Sequence, residues 1–169
     1  MKYNLRWRRL FLTISSFLIL GLAAGCSQPT VTGPDSQTQE GNGVKSHGAL
    51  RVDGASLCDE NGNPVVLRGM SSHGISWYPR YLNGRAMKTL KEYGANLFRI
   101  AAYTEPSGAY LDNPGRTLDY LYMGAESALA EDLYVILDWH ILNDSDPNEH
   151  IEEAKGFFDQ LSAHYAGEP

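Results

Sequence analysis

The chain has 169 residues, of which 20 are acidic and 14 are Lys or Arg, so its formal net charge is −6 at pH 7. A surface with this acidic balance repels polyanions, which argues against a nucleic-acid partner and leaves neutral ligands unaffected. No internal repeat of fixed period is present in the sequence.

The first 26 residues have the pattern of an export signal. A basic start (Lys2, Arg6, Arg8 and Arg9) precedes an apolar run over 10–24 that is too short to span a bilayer comfortably as a helix. Small residues at 23–25 are followed at once by Cys26. This order resembles the lipobox of bacterial lipoproteins, in which the cysteine is lipidated and becomes the new N-terminus. An ordinary signal peptide, or a short signal anchor with an incidental cysteine, is the alternative.

The lipobox resemblance implies a lipoprotein signal peptide over 1–25, lipidation at Cys26, and export to the cell envelope as an outer-membrane or cell-surface lipoprotein. With Cys26 acylated, Cys58 is the one remaining thiol, and we predict it to be a small buried hydrophobic residue. Residues 26–46 are Ser, Thr, Gln, Gly and Pro with almost no large apolar side chain, which predicts a flexible tether. Contact with the membrane is therefore expected through the lipid alone.

Residues 47–169 are predicted to form a folded domain that begins with a short β-hairpin. Short strands near Arg51 and Leu57 flank a turn at 53–54. Three strand–helix units follow, with strands over 65–71, 96–103 and 134–140 and helices over 84–93, 118–133 and 149–165. The last helix has the clearest start signal, because DPNE at 146–149 has the pattern of a capping box with Asp146 as the N-cap residue.

The alternation of strands and helices indicates an α/β fold with a parallel sheet. Apolar runs such as 135–137 are typical of strands that are covered on both faces. No phosphate-binding glycine motif follows a strand, whereas His73, Tyr103 and His140 stand at strand C-terminal ends, where barrel enzymes keep their chemistry. These observations favour a (β/α)8 TIM barrel over a doubly wound sheet. A whole barrel takes about 250 residues, so the domain is expected to be truncated, with the first three βα units.

Three strand-end motifs follow one another in register: LRGMSSHGISWY at 67–78, NLFRIAAYT at 96–104 and YVILDWHIL at 134–142. DSDPN at 144–148 and EAKGFF at 153–158 continue the pattern. Together they resemble the bacterial endo-β-1,4-glucanase (cellulase) branch of glycoside hydrolase family 5, from about residue 50 to the last. The resemblance implies a monomeric hydrolase that cleaves cellulose or related β-glucans by the retaining mechanism and uses no cofactor.

The resemblance also implies where the reacting groups are. In this family two glutamates at the ends of the fourth and seventh strands act as acid/base and nucleophile. Both strands are expected beyond Pro169, so this chain is expected to lack them and to be inactive alone. Glu168, in a Gly-Glu-Pro that superficially resembles a catalytic motif of the family, is predicted to lie in a loop. A family 5 mannanase or xyloglucanase, a non-catalytic carbohydrate-binding surface lipoprotein and a pseudogene product are the alternatives.

The supporting side chains of such a site are present. Period two places Arg99 on the inward face of its strand, where a guanidinium needs an anionic partner. The family supplies the nucleophile carboxylate as that partner, and a structural ion pair with Asp138 is the alternative. By resemblance Arg99 and His140 support catalysis, and the residues that bind the substrate are His73, Trp77, Tyr103 and Leu142. Trp139, between two inward residues, is predicted to pack outward against helices.

Imidazole and carboxylate groups are dense over 140–150, which raises the question of a metal site. Asp146 and Glu149 are explained by the predicted helix cap, and no HExxH or paired CxxC spacing occurs. We therefore predict no metal site and no cofactor. The expected partner is a β-glucan polysaccharide or oligosaccharide.

Overall fold

The computed structural model describes residues 41–143 and 146–169. A short helix α1 (Val44–His47) precedes strands β1 (Arg51–Asp53) and β2 (Ser56–Cys58). The remaining elements are β3 (Gly69–Ser71), a 3-10 turn (Pro79–Tyr81), α2 (Gly84–Glu92), β4 (Leu97–Tyr103), α3 (Pro114–Ala130), β5 (Tyr134–His140) and α4 (Ile151–His164). The predicted hairpin and the three βα units are present in the predicted order.

The strands form two sheets. β1 and β2 are an antiparallel pair in which Val52 lies opposite Leu57. β3, β4 and β5 form a parallel sheet in that order. β5 pairs with β4 along its whole length, from Leu97 opposite Tyr134 to Tyr103 opposite His140. Because parallel strands run in the same direction, their C-terminal ends meet at one edge of the sheet.

The core lies between one face of this sheet and the helices. Phe98, Ile100 and Ala102 of β4 are buried there, in a cluster that includes Leu121 of α3 and Phe157 of α4. On the other face of β4, Leu97, Arg99 and Tyr103 are partly exposed, and Ala101 between them is buried. The sheet therefore has an apolar face that holds the fold together and a polar face that is available for chemistry.

Two helices begin at other residues than the sequence predicted. α3 begins at Pro114, because Asn113 Oδ1 accepts a hydrogen bond from Arg116 N at 3.3 Å and proline fits the first helical position. α4 begins at Ile151 and not at 149, so the predicted capping box is wrong. The Asp146 carboxylate instead accepts hydrogen bonds from Asn148 N at 2.9 Å and Asn148 Nδ2 at 2.8 Å, which closes a local turn before the helix.

The structure also differs from the predicted tether at its C-terminal end. Asn96 is 3% exposed, and its Nδ2 donates to Asn42 O at 3.0 Å. Lys91 Nζ donates to Asn42 Oδ1 and to Asp132 Oδ2, both at 3.1 Å, and Lys45 N donates to Asp132 Oδ1 at 2.7 Å. Residues 42–46 are thus tied to the domain by amide and carboxylate contacts, which a polar composition does not reveal.

Cys58 is a free, buried thiol, as predicted. Glu168 follows a turn after α4, also as predicted, with its N–H bonded to Tyr165 O. Within 41–143 and 146–169, no helix is long and apolar enough to cross a membrane. The predicted signal peptide and Cys26 lie outside the described residues.

Candidate active site

The site is built where the three parallel strands end. Ser71, the last residue of β3, lies opposite Arg99, and backbone bonds from Ser72 N to Arg99 O and from Ile75 N to Ala101 O continue the pairing past the strand. Ser72 Oγ accepts a further bond from Ala101 N at 2.9 Å. The segment after β3 is therefore held beside the polar face of β4, and its His73 and Trp77 rings contact Tyr103 of β4.

Arg99 is the centre of a polar cluster on this face. Its Nη1 donates to Ser71 Oγ at 2.7 Å, and its Nη2 lies 2.5 Å from Asp138 Oδ2 and 3.1 Å from His140 Nδ1. The side chains of Arg99, Asp138 and His140 are 34%, 20% and 31% exposed. The ion pair with Asp138 that the sequence left open is therefore present. The Arg99 side chain is nevertheless about one third exposed, so its guanidinium can also contact an anion on this face of the sheet.

His140 is oriented by this cluster. Its Nδ1 lies 3.0 Å from Asp138 Oδ2 and 3.1 Å from Arg99 Nη2. A protonated Nδ1 donates to the carboxylate, and a bare Nδ1 accepts from the guanidinium, so this nitrogen is satisfied in either tautomer. The opposite nitrogen, Nε2, takes the complementary role and is the atom through which His140 can address a ligand.

Four rings form a wall that continues from His140 of the cluster. Tyr103 stacks on His140 with ring centroids 4.7 Å apart and an interplanar angle of 23°. Trp77 meets Tyr103 edge to face at 5.2 Å, and His73 lies 5.5 Å from Trp77 and 5.7 Å from Tyr103. Trp77 is 47% exposed, so a large part of its indole faces solvent. This aromatic wall (His73, Trp77, Tyr103 and His140) offers flat apolar faces next to hydrogen-bonding atoms.

The absence of a side chain at Gly74 allows the Tyr103 and Trp77 rings to pack close to the backbone. A Cβ at this position would lie 2.8 Å from Tyr103 Cδ2, 2.9 Å from Tyr103 Cε2 and 3.2 Å from Trp77 Cε3. Carbon atoms pack at about 3.5–4.0 Å, so no larger residue fits without moving a ring. His73 Nδ1 accepts from Gly74 N at 2.8 Å, which fixes the direction of the first ring in the wall.

Sequence reasoning did not identify Glu105, which follows β4. Its Oε1 accepts from the backbone N–H groups of Leu142 (3.0 Å) and Asn143, and its Oε2 accepts from the Thr104 hydroxyl. Partial burial raises the pKa of the Glu105 carboxyl, but the hydrogen bonds from Thr104, Asn143 and Leu142 outweigh it and lower the pKa to about 2. The partners are 37 and 38 residues away, so no local pattern indicates the contact.

The structure thus brings Arg99, His140, His73, Trp77 and Tyr103 together. Leu142, 45% exposed, lies two residues beyond His140, and its backbone is held by Glu105. The roles of these residues toward a ligand stay predictions. The outward packing of Trp139 is confirmed, since its ring meets Tyr110 at 5.0 Å and Phe157 at 5.2 Å in the core.

Two other features lie outside the polar cluster. A groove of about 950 Å³ between β3 and α2 adjoins the site, because Ser71 and His73 line it together with apolar side chains such as Met87, Leu90 and Phe98, but neither Arg99 nor His140 lines it. In the part of the chain that the structure describes, no group of three or more His, Cys, Asp or Glu side chains could hold a metal ion. Asp144, one of the residues considered for a metal, lies outside that part.

The chain is similar in sequence to known endoglucanases. An endoglucanase of Clostridium saccharobutylicum is 40% identical over 137 residues, which are 80% of this chain and 30% of that protein. Endoglucanase E-5 of Thermobifida fusca is 40% identical over 136 residues, 79% of this chain and 29% of that protein. The chain thus spans about 30% of the length of these relatives.

Solved structures show the same fold. The catalytic domain of Thermobifida fusca endoglucanase Cel5A (E5) is similar with a TM-score of 0.72 and 38% identity, over 76% of this chain and 42% of that one. The catalytic domain of alkaline cellulase K gives a TM-score of 0.71 at 35% identity, over 78% of this chain and 38% of that one. The predicted (β/α)8 barrel class is confirmed, with the described residues forming part of the barrel. The family described as cellulase (glycosyl hydrolase family 5) matches residues 58–169, and the chain belongs to this family.

Proposed function

We propose that the protein containing this chain is an endo-β-1,4-glucanase of the retaining type that cleaves cellulose or related β-glucans. The observation that carries the proposal is the aromatic wall beside the Arg99–Asp138–His140 cluster, at the C-terminal ends of parallel strands. Relatives that are named endoglucanases, at about 40% identity, support the same substrate class.

The wall suits a neutral sugar chain. A β-linked glucose ring has axial C–H bonds on both faces and hydroxyl groups around its edge. Trp77 and Tyr103 can stack on those faces, while His73 Nε2 and His140 Nε2 can exchange hydrogen bonds with the edge. Because the rings lie 4.7–5.7 Å from one another, they form a continuous surface that can follow successive sugar units.

The chemistry needs two carboxyl groups about 5 Å apart, one as nucleophile and one as acid/base. We propose that strands beyond Pro169 supply both glutamates, and that residues up to 169 supply binding and orientation alone. Arg99 then presents its partly exposed guanidinium to the nucleophile and keeps that carboxylate ionised. His140 binds a hydroxyl of the sugar next to the cleaved bond.

The test is hydrolysis by the complete product of the gene. Purified protein is incubated with carboxymethylcellulose, β-mannan and xyloglucan, and new reducing ends are measured together with the fall in viscosity. Rapid loss of viscosity with carboxymethylcellulose supports an endoglucanase. Preference for mannan or xyloglucan would replace it with another family specificity, and binding without cleavage would leave a carbohydrate-binding protein.

Two variants test the assigned roles. His140→Ala is expected to lower kcat/KM about a hundredfold or more. Enzymes that lose one preorganised hydrogen-bond donor from the active site lose activity on this scale. Arg99→Lys keeps the charge but loses the planar fork, so it is expected to lower kcat with little change in KM. His164→Ala is the matched control, because His164 lies in the last turn of α4 and is not part of the polar cluster or the aromatic wall. Equal effects of His140→Ala and His164→Ala would contradict the assignment.

We also propose that the protein is a cell-envelope lipoprotein anchored through Cys26. The basic start, the apolar run and the small residues before Cys26 support this. Cells that express the intact gene are fractionated after labelling with a radioactive fatty acid. Label in the membrane fraction that is lost in Cys26→Ala and retained in Cys58→Ala, the matched control, supports the anchor. Label that persists in Cys26→Ala excludes it.

A further inference from the structure

The carboxylate of Glu105 connects two strand ends that carry site residues. Glu105 lies two residues beyond Tyr103, and its Oε1 accepts the N–H groups of Leu142 and Asn143, which lie two and three residues beyond His140. Thr104, between Tyr103 and Glu105, is fully buried and donates its backbone N–H to His140 O at 3.2 Å. The Glu105 side chain thus joins the end of β4 to two backbone groups that lie 37 and 38 residues further along the chain.

The hydrogen bonds to Glu105 are strong enough to hold the backbone of this segment in place. An ionised carboxylate forms shorter and stronger hydrogen bonds with N–H donors than a neutral acceptor does. Both amides come from the segment that leaves the sheet after β5, which lacks strand partners of its own at 142 and 143. Without Glu105, these two N–H groups would turn to water and the segment would lose its fixed direction.

The segment that Glu105 holds begins directly after His140. The ring of His140 is already stacked on Tyr103 and bonded to Asp138. Leu142 is 45% exposed, so packing holds its side chain only in part, and its backbone N–H is held by the Glu105 carboxylate. The orientation of Leu142, and of the backbone just after His140, therefore depends on the Glu105 carboxylate.

We propose that Glu105 is a positioning residue, which holds residues 141–143 so that His140 and Leu142 present a preorganised surface to the sugar chain. The proposal rests on the proposed glucanase function and adds a residue to it. Glu105 does not touch the substrate, and it acts through the two backbone amides. The persistence of the ionised form, with a pKa of about 2, agrees with this role across the pH range in which a glucanase works.

Two substitutions separate positioning from bulk stability. Glu105→Ala removes both acceptor oxygens. Glu105→Gln keeps Oε1 as an acceptor for the two amides, and its Nε2 can donate to the Thr104 hydroxyl, so the geometry can survive. Glu92→Ala is the matched control, because Glu92 is an exposed residue in the last turn of α2.

The first readout does not need catalysis. Backbone hydrogen exchange of Leu142 and Asn143 is measured in the complete gene product by mass spectrometry or NMR. Exchange is expected to be about tenfold faster or more in Glu105→Ala, and within about threefold of wild type in Glu105→Gln and Glu92→Ala. If Glu105→Ala does not fold, Thr104→Val is used, which removes one donor to the carboxylate and should accelerate the same amides by a smaller factor.

The second readout is kinetic. On cello-oligosaccharides, Glu105→Ala is expected to raise KM about tenfold with a smaller change in kcat, and Glu105→Gln is expected to restore KM to within about threefold. Unchanged exchange in Glu105→Ala, or in Thr104→Val if the alanine variant is unfolded, overturns the proposal. So does faster exchange with KM unchanged in an active enzyme. If the wild-type protein cleaves no β-glucan, the proposed function fails, and the exchange of the two amides still decides whether Glu105 holds the segment.

Discussion

Replacing Gly74 by alanine is the sharpest test of the aromatic wall. The added methyl group would lie 2.8 Å and 2.9 Å from two carbon atoms of Tyr103 and 3.2 Å from Trp77 Cε3. Normal carbon–carbon contact is about 3.5–4.0 Å, so the Tyr103 ring has to retreat by roughly 0.6–1 Å. Overpacking of this kind costs about 1–3 kcal/mol. We expect the free energy of unfolding to fall by that amount.

The same displacement should weaken sugar binding. Tyr103 is stacked on His140 at 4.7 Å, and a retreating ring either breaks this stack or pushes His140 against Arg99. Gly74→Ala is therefore expected to raise KM for cello-oligosaccharides as well as to lower stability. Urea unfolding followed by circular dichroism gives the first quantity, and initial-rate kinetics on the complete gene product give the second.

A double-mutant cycle identifies the clash as the cause. In a Tyr103→Ala background the ring is absent, so the cost of Gly74→Ala should fall to about 0.5 kcal/mol or less. Gly156→Ala is the matched control, because nothing lies within 4 Å of a Cβ at this position in α4. It should stabilise the protein by about 0.5–1 kcal/mol. An unchanged cost of Gly74→Ala in the two backgrounds would refute the reasoning.

Three further predictions concern stability. Asn113→Ala removes the N-cap bond of α3 and should lower the free energy of unfolding by about 1 kcal/mol in urea titrations, whereas Asn113→Asp should keep most of it. The pKa of Glu105 is depressed from 4.5 to about 2, so its stabilising effect is complete above pH 4.5 and is lost as the pH falls toward 2. The stability difference between wild type and Glu105→Gln should therefore shrink by about 1–3 kcal/mol over this range, and a pH-independent difference would count against the assigned bonds. Lys91→Met leaves the Asp132 carboxylate without its cation and should lower the free energy of unfolding by about 1–3 kcal/mol. Limited proteolysis near residue 45 should become faster. Lys88→Met, at an exposed position in the same helix, should change neither quantity.

The sequence predicted best where one short pattern has one structural solution. β5 was predicted at its observed bounds, since an apolar run that ends in charged and aromatic residues fits a buried strand that opens at a site. The inward position of Arg99 and the outward position of Trp139 followed from period two alone. These predictions depend on neighbours in the chain, and the neighbours are visible in the sequence.

The sequence failed where the partner is distant or the pattern has two solutions. Glu105 accepts from backbone N–H groups more than thirty residues away, and any residue type except proline could supply them. Asp146 is a residue type that commonly caps helices, but a carboxylate can equally close a turn. In the structure Asp146 accepts from Asn148 N and closes a turn before α4. An N-cap residue followed by proline, as at Asn113 and Pro114, is a helix start signal. The predicted start at Leu118 followed the apolar periodicity instead and placed the helix one turn too late.

The alternation of apolar and polar side chains along β5 also specifies the register of this strand. Val135, Leu137 and Trp139 pack against the core, while Asp138 and His140 lie on the polar face with Arg99. A slip of one residue against β4 would exchange the two sets and bring a carboxylate against the aromatic core. Such a burial without a partner costs several kcal/mol. The polar residues that serve the site therefore also destabilise the wrong register. A chain in which β5 pairs one residue out of register with β4 is less stable than the native sheet by this cost.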